Sequence, residues 1–593
     1  MKISGALKAA ALGLAALFLL APSIPQAAAK ESASAELAKV LDEYWQYRLE
    51  DALYSRLQLG LPITRLPDLS EERFRETVQV ARRLLEKLER IDASSLPHEE
   101  WLSREIAAWE CRQTVALQDH FWHFPEMTVH ALPLREIQEV LAVAPLRNRA
   151  DLDGYLGLVR QYPGFVRQLH KKFETRRAKG ILPPKDLIDV LAPVFRSYIG
   201  KPEESPLWLA DARLEAPKKD GADVAAFQAE VRKIVEGEIN PALENLVNAL
   251  TAARPQAPER TGLGQYPGGE AAYRALVRYH TTLDVTPEQV HQRGLDEVAR
   301  IDARMAEVRA KLGFQGSKAD FQTMIRTDGR FLGKSPEDVA ERLMAPIRRI
   351  EPRIKDYFLR TPKAPYGVKR LNPALEGSTM TFGMYQAPTP ADAQGYYLFN
   401  GSQLDQRPLM NAAALIYHEL VPGHHFQINL QFENPGLPAF RKMNFQTAFV
   451  EGWAEYASEL GIEMGLYENP YDLYGRLGMD MFLSNRLVVD TGMNLMGWPR
   501  EKAIQYMLGN VLESETQIRS ETLRYSADIP GQALAYKMGA GKIWELRRHA
   551  EKELGKKFDI RRFHEAVIGS GSMPMTVLEK HIAWWIEQEK TRG

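Results

Sequence analysis

Apolar residues recur three or four positions apart along most of the chain, across long charged stretches, while strict alternation is rare. This pattern predicts a mainly α, multi-helix fold. Residues 69–91 are typical, with Phe74, Val78, Ala81, Leu84 and Leu88 along one helical face. Helix starts are marked as well. Thr286-Pro287-Glu288-Gln289 joins a threonine cap, a first-turn proline and a glutamine placed for a capping box, and Ser335-Pro336-Glu337-Asp338 repeats most of it. Breaks rich in proline and glycine are expected at 201–223 and 251–270. The second is the preferred boundary, dividing an N-terminal helical domain at 30–255 from a C-terminal domain at 256–593.

Strand signals gather between Asn372 and Asn400, where Gly, Pro, Thr and aromatics replace the helical period and end in Gly395-Tyr396-Tyr397-Leu398-Phe399. A small β-sheet is expected there, just before the strongest motif. It would hold extended peptide by main-chain hydrogen bonds or only plug the core.

The N-terminus is different in kind. Lys2 and Lys8 precede the apolar run Ala9–Ala21, followed by Pro22, Pro25 and Ala27-Ala28-Ala29. That order is the signature of a cleavable signal peptide at 1–29, and the run is shorter than the roughly 20 residues that span a bilayer. No cysteine stands at the cleavage region, so lipid attachment is excluded, and a periplasmic or secreted product is expected. With 76 Lys+Arg against 77 Asp+Glu, the net charge of -1 gives no footprint for nucleic acid or anionic membranes. The single cysteine, Cys111, excludes an intrachain disulfide or a cysteine-built metal cluster.

Candidate chemistry begins at His418-Glu419-Leu420-Val421-Pro422-Gly423-His424-His425. In H-E-x-x-H zinc hydrolases two histidines four apart share a helical face with a glutamate beside them. Here the fourth position is Pro422, and His424, six residues on, would lie about 120° away from His418 on an unbroken helix. Pro422 removes a backbone bond and clashes with the His418 carbonyl, so a bulge at Pro422-Gly423 would bring His424 back to the shared face. His425 returns to within about 20° but sits about 10.5 Å further along. His424 is the preferred second ligand, which leaves His425 behind the ligands or at the substrate; the choice between them stays open.

Downstream, Glu451-Gly452-Trp453-Ala454-Glu455, with Glu459 following, sets carboxylates at i, i+4 and i+8 among apolar neighbours. Unpaired carboxylates there are costly unless a cation meets them. We read Glu451 as the third ligand and Glu455 as the acceptor that orients a ligand histidine. The competing expectation pairs both with arginines such as Arg441 or Arg486. A third element, Arg524-Tyr525 to Tyr536, offers Tyr525 or Tyr536 as a donor to an oxyanion and Arg524 for a substrate carboxylate. The His-Glu pairs at His98-Glu99 and His564-Glu565 lack a second histidine at useful spacing and are expected at the surface or at helix starts.

Together these three motifs resemble the bacterial domain of unknown function 885 family, from roughly residue 35 to the C-terminus. That family resembles gluzincin zinc peptidases, with dipeptidyl peptidase III as precedent for an expanded histidine motif. The resemblance implies one zinc ion on His418, His424 and Glu451, Glu419 as general base, Tyr525 or Tyr536 near the oxyanion, and a helical fold with a deep cleft. Two extra residues stand between the histidines here. Family members are often described as lipoproteins, a trait this chain lacks the cysteine for.

The function expected is an exported metallopeptidase acting on oligopeptides, without nucleic-acid partner or membrane insertion. The alternatives are an amidohydrolase acting on a modified amino acid or cell-wall peptide, and an exported binding protein with a structural metal. Histidine and carboxylate ligands suit manganese as well as zinc.

Overall fold

The structure, a computed structural model, describes residues 24–124, 127–128, 133–376, 383–389 and 392–592. Most of the leader expected at 1–29 therefore lies outside the described residues, and from Ile24 the chain is helical. The longer helices are α1 (Ile24–Leu49), α2 (Glu71–Arg90), α3 (His98–Ala116), α4 (Arg149–Ala178), α5 (Lys185–Ser197), α6 (Asn240–Ala253), α7 (Gly269–Thr281), α8 (Pro287–Lys311) and α9 (Pro336–Ile350). Three strands follow: β1 (Tyr366–Arg370), β2 (Gly383–Gln386) and β3 (Gly395–Phe399). The chain then returns to helix: α10 (Ala412–Glu419), α11 (His424–Glu433), α12 (Thr447–Glu463), α13 (Pro470–Asn494), α14 (Glu515–Leu523), α15 (Ala535–Leu554), α16 (Ile560–Ile568) and α17 (Met575–Thr591).

The helical period is realised where it was read. In α2, Val78, Ala81, Leu84 and Leu88 are buried, and Ser70 caps the helix by accepting from the Arg73 N–H. At α8, Thr286 and Gln289 form the capping box, and Ser335 caps α9. One break is not wholly irregular: Asp211–Lys219 is a helix inside the Pro-rich stretch 201–223. Its proline, Pro217, comes late in the segment, where the helix can end without losing its first turns.

The sheet has order β1-β3-β2, with β1 parallel and β2 antiparallel to the central β3. Tyr397 and Phe399 of β3 turn into the main core. That core gathers α1–α3 together with α10, α12, α15 and the last two helices, while α4, α5 and α6 build a second. The pair α8 and α13 holds a third. At the centre, α12 and α15 touch backbone to backbone: a Cβ on Gly452 would stand 2.6 Å from Gly539, and one on Gly539 would stand 1.9 Å from the Ala448 carbonyl oxygen. Glycine at 452 thus lets α15 approach the helix that carries the two motif glutamates. Cys111 is buried in the main core, and burial pushes its thiol up to about 12, leaving it an unreactive small hydrophobe. No described helix is long and apolar enough to cross a membrane.

Candidate metal centre

The site is built on a broken helix. α10 stops at Glu419, Leu420 leaves the helical region, the Val421–Pro422 peptide is cis, and Gly423 opens α11 with His424 as its first residue. A bulge within one helix was expected; the structure has two helices joined by Leu420–Gly423. Ending α10 before Pro422 removes the clash that a continuous helix would force on the His418 carbonyl. Gly423 has a φ of -79° and a ψ of -126°, and its missing side chain also meets a spatial need. A Cβ there would stand 1.8 Å from the His418 carbonyl oxygen and 2.6 Å from that of Tyr417. Trp453 Nε1 donates to the Pro422 carbonyl at 2.9 Å, tying the second motif to the turn of the first.

This turn brings His418 and His424 together over Glu451. Their ring centroids are 4.8 Å apart, and one ligand atom from each of the three residues falls within a mutual spread of 4.8 Å. Glu451 Oε2 lies 3.6 Å from His418 Nε2 and 3.3 Å from His424 Nε2. Tetrahedral bonds of about 2.0–2.1 Å to nitrogen and oxygen imply donor–donor distances of about 3.3–3.4 Å, which the two Glu451 distances approach. Glu451 Oε2 is buried and without a hydrogen-bond partner, a costly state for a carboxylate oxygen that a cation would relieve. Burial alone would push His418 down, but Glu451 and Glu455 outweigh it and lift the imidazole to about 9. Despite its own burial, Glu451 is held well below the usual carboxylate range by His424 and His418. The surroundings therefore call for positive charge, and the donor set suits a divalent metal.

His425, the next residue, faces elsewhere. Its Nε2 lies 2.9 Å from the Ala364 carbonyl, and its Nδ1 is 3.2 Å from both the Tyr385 hydroxyl and the Asn429 amide. With Nε2 donating to a carbonyl, Nδ1 is an acceptor, and both nitrogens are spent on anchoring α11 against the sheet. Glu455 is fully buried, with Oε2 3.7 Å from His418 Nδ1. Arg476 of α13 bonds both Glu455 oxygens and donates to Ser458 Oγ at 2.9 Å. Arg476 lies 3.9 Å from Asp480, which in turn pairs with Lys537. A buried file of alternating charges thus stands behind His418. The expected arginine pairing applies to Glu455, but with Arg476: Arg441 takes Glu99 at 2.9 Å and Arg486 takes Glu521 at 2.9 Å. Glu459 accepts from Trp544 Nε1 at 2.8 Å.

Glu419 follows His418 directly, and burial, foremost, raises its carboxyl, while His418 and His424 and a backbone N–H from Tyr385 of β2 pull it down. The two tyrosine candidates separate. Tyr525 donates to Glu521 and accepts from Arg486 Nε at 2.7 Å, so its hydroxyl is engaged. Tyr536 stacks on the His418 ring with centroids 6.1 Å apart and an interplanar angle of 11°. Its hydroxyl is raised by burial and by the Glu451 charge, against the opposing Arg524 and Arg486. Arg524 is spent on Glu521 at 3.3 Å and Gln532 at 2.7 Å, with its Nε buried and unpartnered.

The sequence profile described as bacterial protein of unknown function (DUF885) matches residues 54–582. The chain belongs to that family. Its fold is similar to that of a candidate lipoprotein from Colwellia psychrerythraea, at a TM-score of 0.83 and 25% identity over 94% of this chain and 99% of the other. It is also similar in fold to a candidate lipoprotein of unknown function from Shewanella oneidensis, at a TM-score of 0.70 and 18% identity over 92% and 99% of the two chains. No curated protein matches.

Two features of this DUF885 chain escaped the motif reading. One is the partner of Glu455: Arg476 and Asp480 sit at i, i+4 in a helix buried almost all round, the same signal that singled out Glu451 and Glu455. The other is Tyr385, whose backbone reaches Glu419 and whose ring faces His424 with centroids 6.3 Å apart. Its strand lies partly in a stretch without clean alternation. The His-Glu pairs also divide. His98 begins α3 as expected, whereas His564 is a core residue bonded at 2.8 Å to both Tyr456 and the Tyr357 carbonyl.

Proposed function

We propose that the chain is an exported, gluzincin-like zinc peptidase that hydrolyses oligopeptides. The observation that carries this reading is Glu419 standing directly beside the buried cluster of His418, His424 and Glu451. A structural zinc site closes with four protein ligands and has no use for an adjacent carboxylate. His418, His424 and Glu451 would hold the zinc ion, which would supply Lewis acidity to activate water and polarise the scissile carbonyl.

The remaining steps belong to side chains. Glu419, buried and raised, takes the proton of the attacking water and returns it to the leaving amine. Glu455, fixed by Arg476, faces His418 Nδ1 at 3.7 Å, placed to orient that imidazole and leave its Nε2 free to serve as a ligand. Tyr536, stacked on His418, is the better placed of the two tyrosines to donate to the oxyanion. The edge strand β2 offers main-chain groups to an extended substrate lying in a cleft beside α10. The leader pattern at 1–29 supports a periplasmic or secreted site of action.

The test is metal content by mass spectrometry with cleavage of a mixed peptide library, for wild type and Glu419→Gln. About one zinc per chain in both, with chelator-sensitive cleavage only in wild type, is the expected result. A zinc-loaded wild type that cleaves no peptide would overturn the peptidase reading.

A further inference from the structure

Beyond the metal cluster, a cavity of about 420 Å³ lies between β3, the loop at 403–411, α13 and the start of α14. That size falls in the range of small-ligand pockets, roughly 300–1,000 Å³. Its walls are mostly apolar, with Val339, Leu343, Phe399, Leu409, Met479 and Leu512 among them. Glu513 and Gln517 also line it, and both carry a buried side-chain oxygen without a hydrogen-bond partner. Gln517 is only 7% exposed, and its amide nitrogen is already given to Glu521 at 3.3 Å. What the two leave unmet is acceptor capacity.

The arginines lining the cavity do not bond these two oxygens. Arg326 spends its guanidinium on the backbone carbonyls of Leu512 at 3.2 Å and of Val511 and Glu513 at 3.4 Å. Arg407 gives its Nε to the Ser402 carbonyl at 2.8 Å. Burial lifts the Glu513 carboxyl to about 7, against the opposing pull of Arg486 and Arg326. Both oxygens are buried out of solvent contact, and the broad terminal torsions of Glu and Gln let them turn toward a guest.

We propose that this cavity binds a primary ammonium group carried on an apolar body, with Glu513 and Gln517 as its acceptors. An ammonium has three donors and no acceptor, which matches two orphan oxygens, and the apolar walls take the rest of the ligand. Asn411 and Leu415 of α10 line the cavity, and Leu415 lies one helical turn before Glu419. The occupant is accordingly the amino end or a lysine side chain of the peptide. That last assignment rests on the peptidase reading; the binding itself does not.

Calorimetric titration of the purified full chain tests this with three probes: leucinamide, Nα-acetyl-lysinamide and, as a neutral control, N-acetyl-leucinamide. At least one ammonium probe binds about tenfold or more tightly than the control, and Glu513→Gln loses that advantage. Which of the two binds better identifies the source of the ammonium. Thr516→Trp, at an exposed rim position, weakens the same probe without disturbing the core. Glu451→Gln, which removes a metal ligand, leaves the affinity unchanged, so loss of the peptidase reading would not carry this site with it. Equal binding of all three probes, no binding, or loss in Glu451→Gln but not in Glu513→Gln would overturn the proposal.

Discussion

Replacing Arg476 by methionine isolates what the buried charges behind His418 do. Arg476 is 1% exposed and Glu455 is 0% exposed, so the substitution takes from a core carboxylate the guanidinium that bonds both its oxygens, leaving His418 at 3.7 Å and Lys537 as the remaining positive groups. Asp480 keeps Lys537 as a partner, which confines the damage to Glu455. Breaking a buried pair from one side costs about 3–5 kcal/mol. The relief available to Glu455 is to take up a proton, and it then no longer presents a charged oxygen to His418 Nδ1. Loss of such a supporting acceptor weakens metal binding by about 10–100-fold. Urea unfolding followed by tryptophan fluorescence, with chelator present, measures the first effect; competition with a chromophoric chelator measures the second. The double variant Arg476→Met/Glu455→Gln removes the stranded charge and should be more stable than Arg476→Met alone, with a coupling of about 1–3 kcal/mol. A double variant no more stable than the single, or a single variant with unchanged metal affinity, would refute the reasoning.

Metal content should vanish in His424→Ala and Glu451→Ala but survive in His425→Ala, whose loss is instead one of thermal stability, because it frees the Ala364 carbonyl and the Tyr385 hydroxyl; mass spectrometry and thermal unfolding read the two. Gly423→Ala should lower both the melting temperature and zinc occupancy, since its Cβ would stand 1.8 Å from the His418 carbonyl oxygen; a fully loaded, wild-type-like Gly423→Ala would contradict the close approach. Tyr525→Phe should destabilise the Arg486–Glu521 pair, whereas Tyr536→Phe should lower kcat with little change in stability, and steady-state kinetics beside thermal melts separate them.

The helical character, the capping box at Thr286, strand β3 and the triad His418, His424 and Glu451 were all legible in the sequence, because each rests on local chemistry or on residue types that a core does not bury without reason. The form of the turn was less so. Pro422 announced a disturbance, but whether α10 bends or stops depends on what receives the freed carbonyls, and Trp453, thirty-one positions on, does so at Pro422. Tyr525 and Tyr536 read as equals because the Arg486–Glu521 pair that claims Tyr525 comes from distant helices. Choosing between His424 and His425 required knowing where β1 and Ala364 would lie. Arg476 was overlooked although its surroundings in α13 carried the same mark as those of Glu455.

In a continuous helix the distance between two histidines is a constant of the backbone, the same in every protein that uses it. In this chain His418 lies in the last turn of one rod and His424 starts another, so their separation is set by the angle of a joint. That angle is braced from outside, by the Trp453 indole on Pro422 and by the His425 imidazole on Ala364. Substitutions in the bracing can therefore open or close the grip on an ion while every ligand stays in place, which gives such a centre a means of adjusting metal choice and affinity that a rigid four-residue spacing lacks.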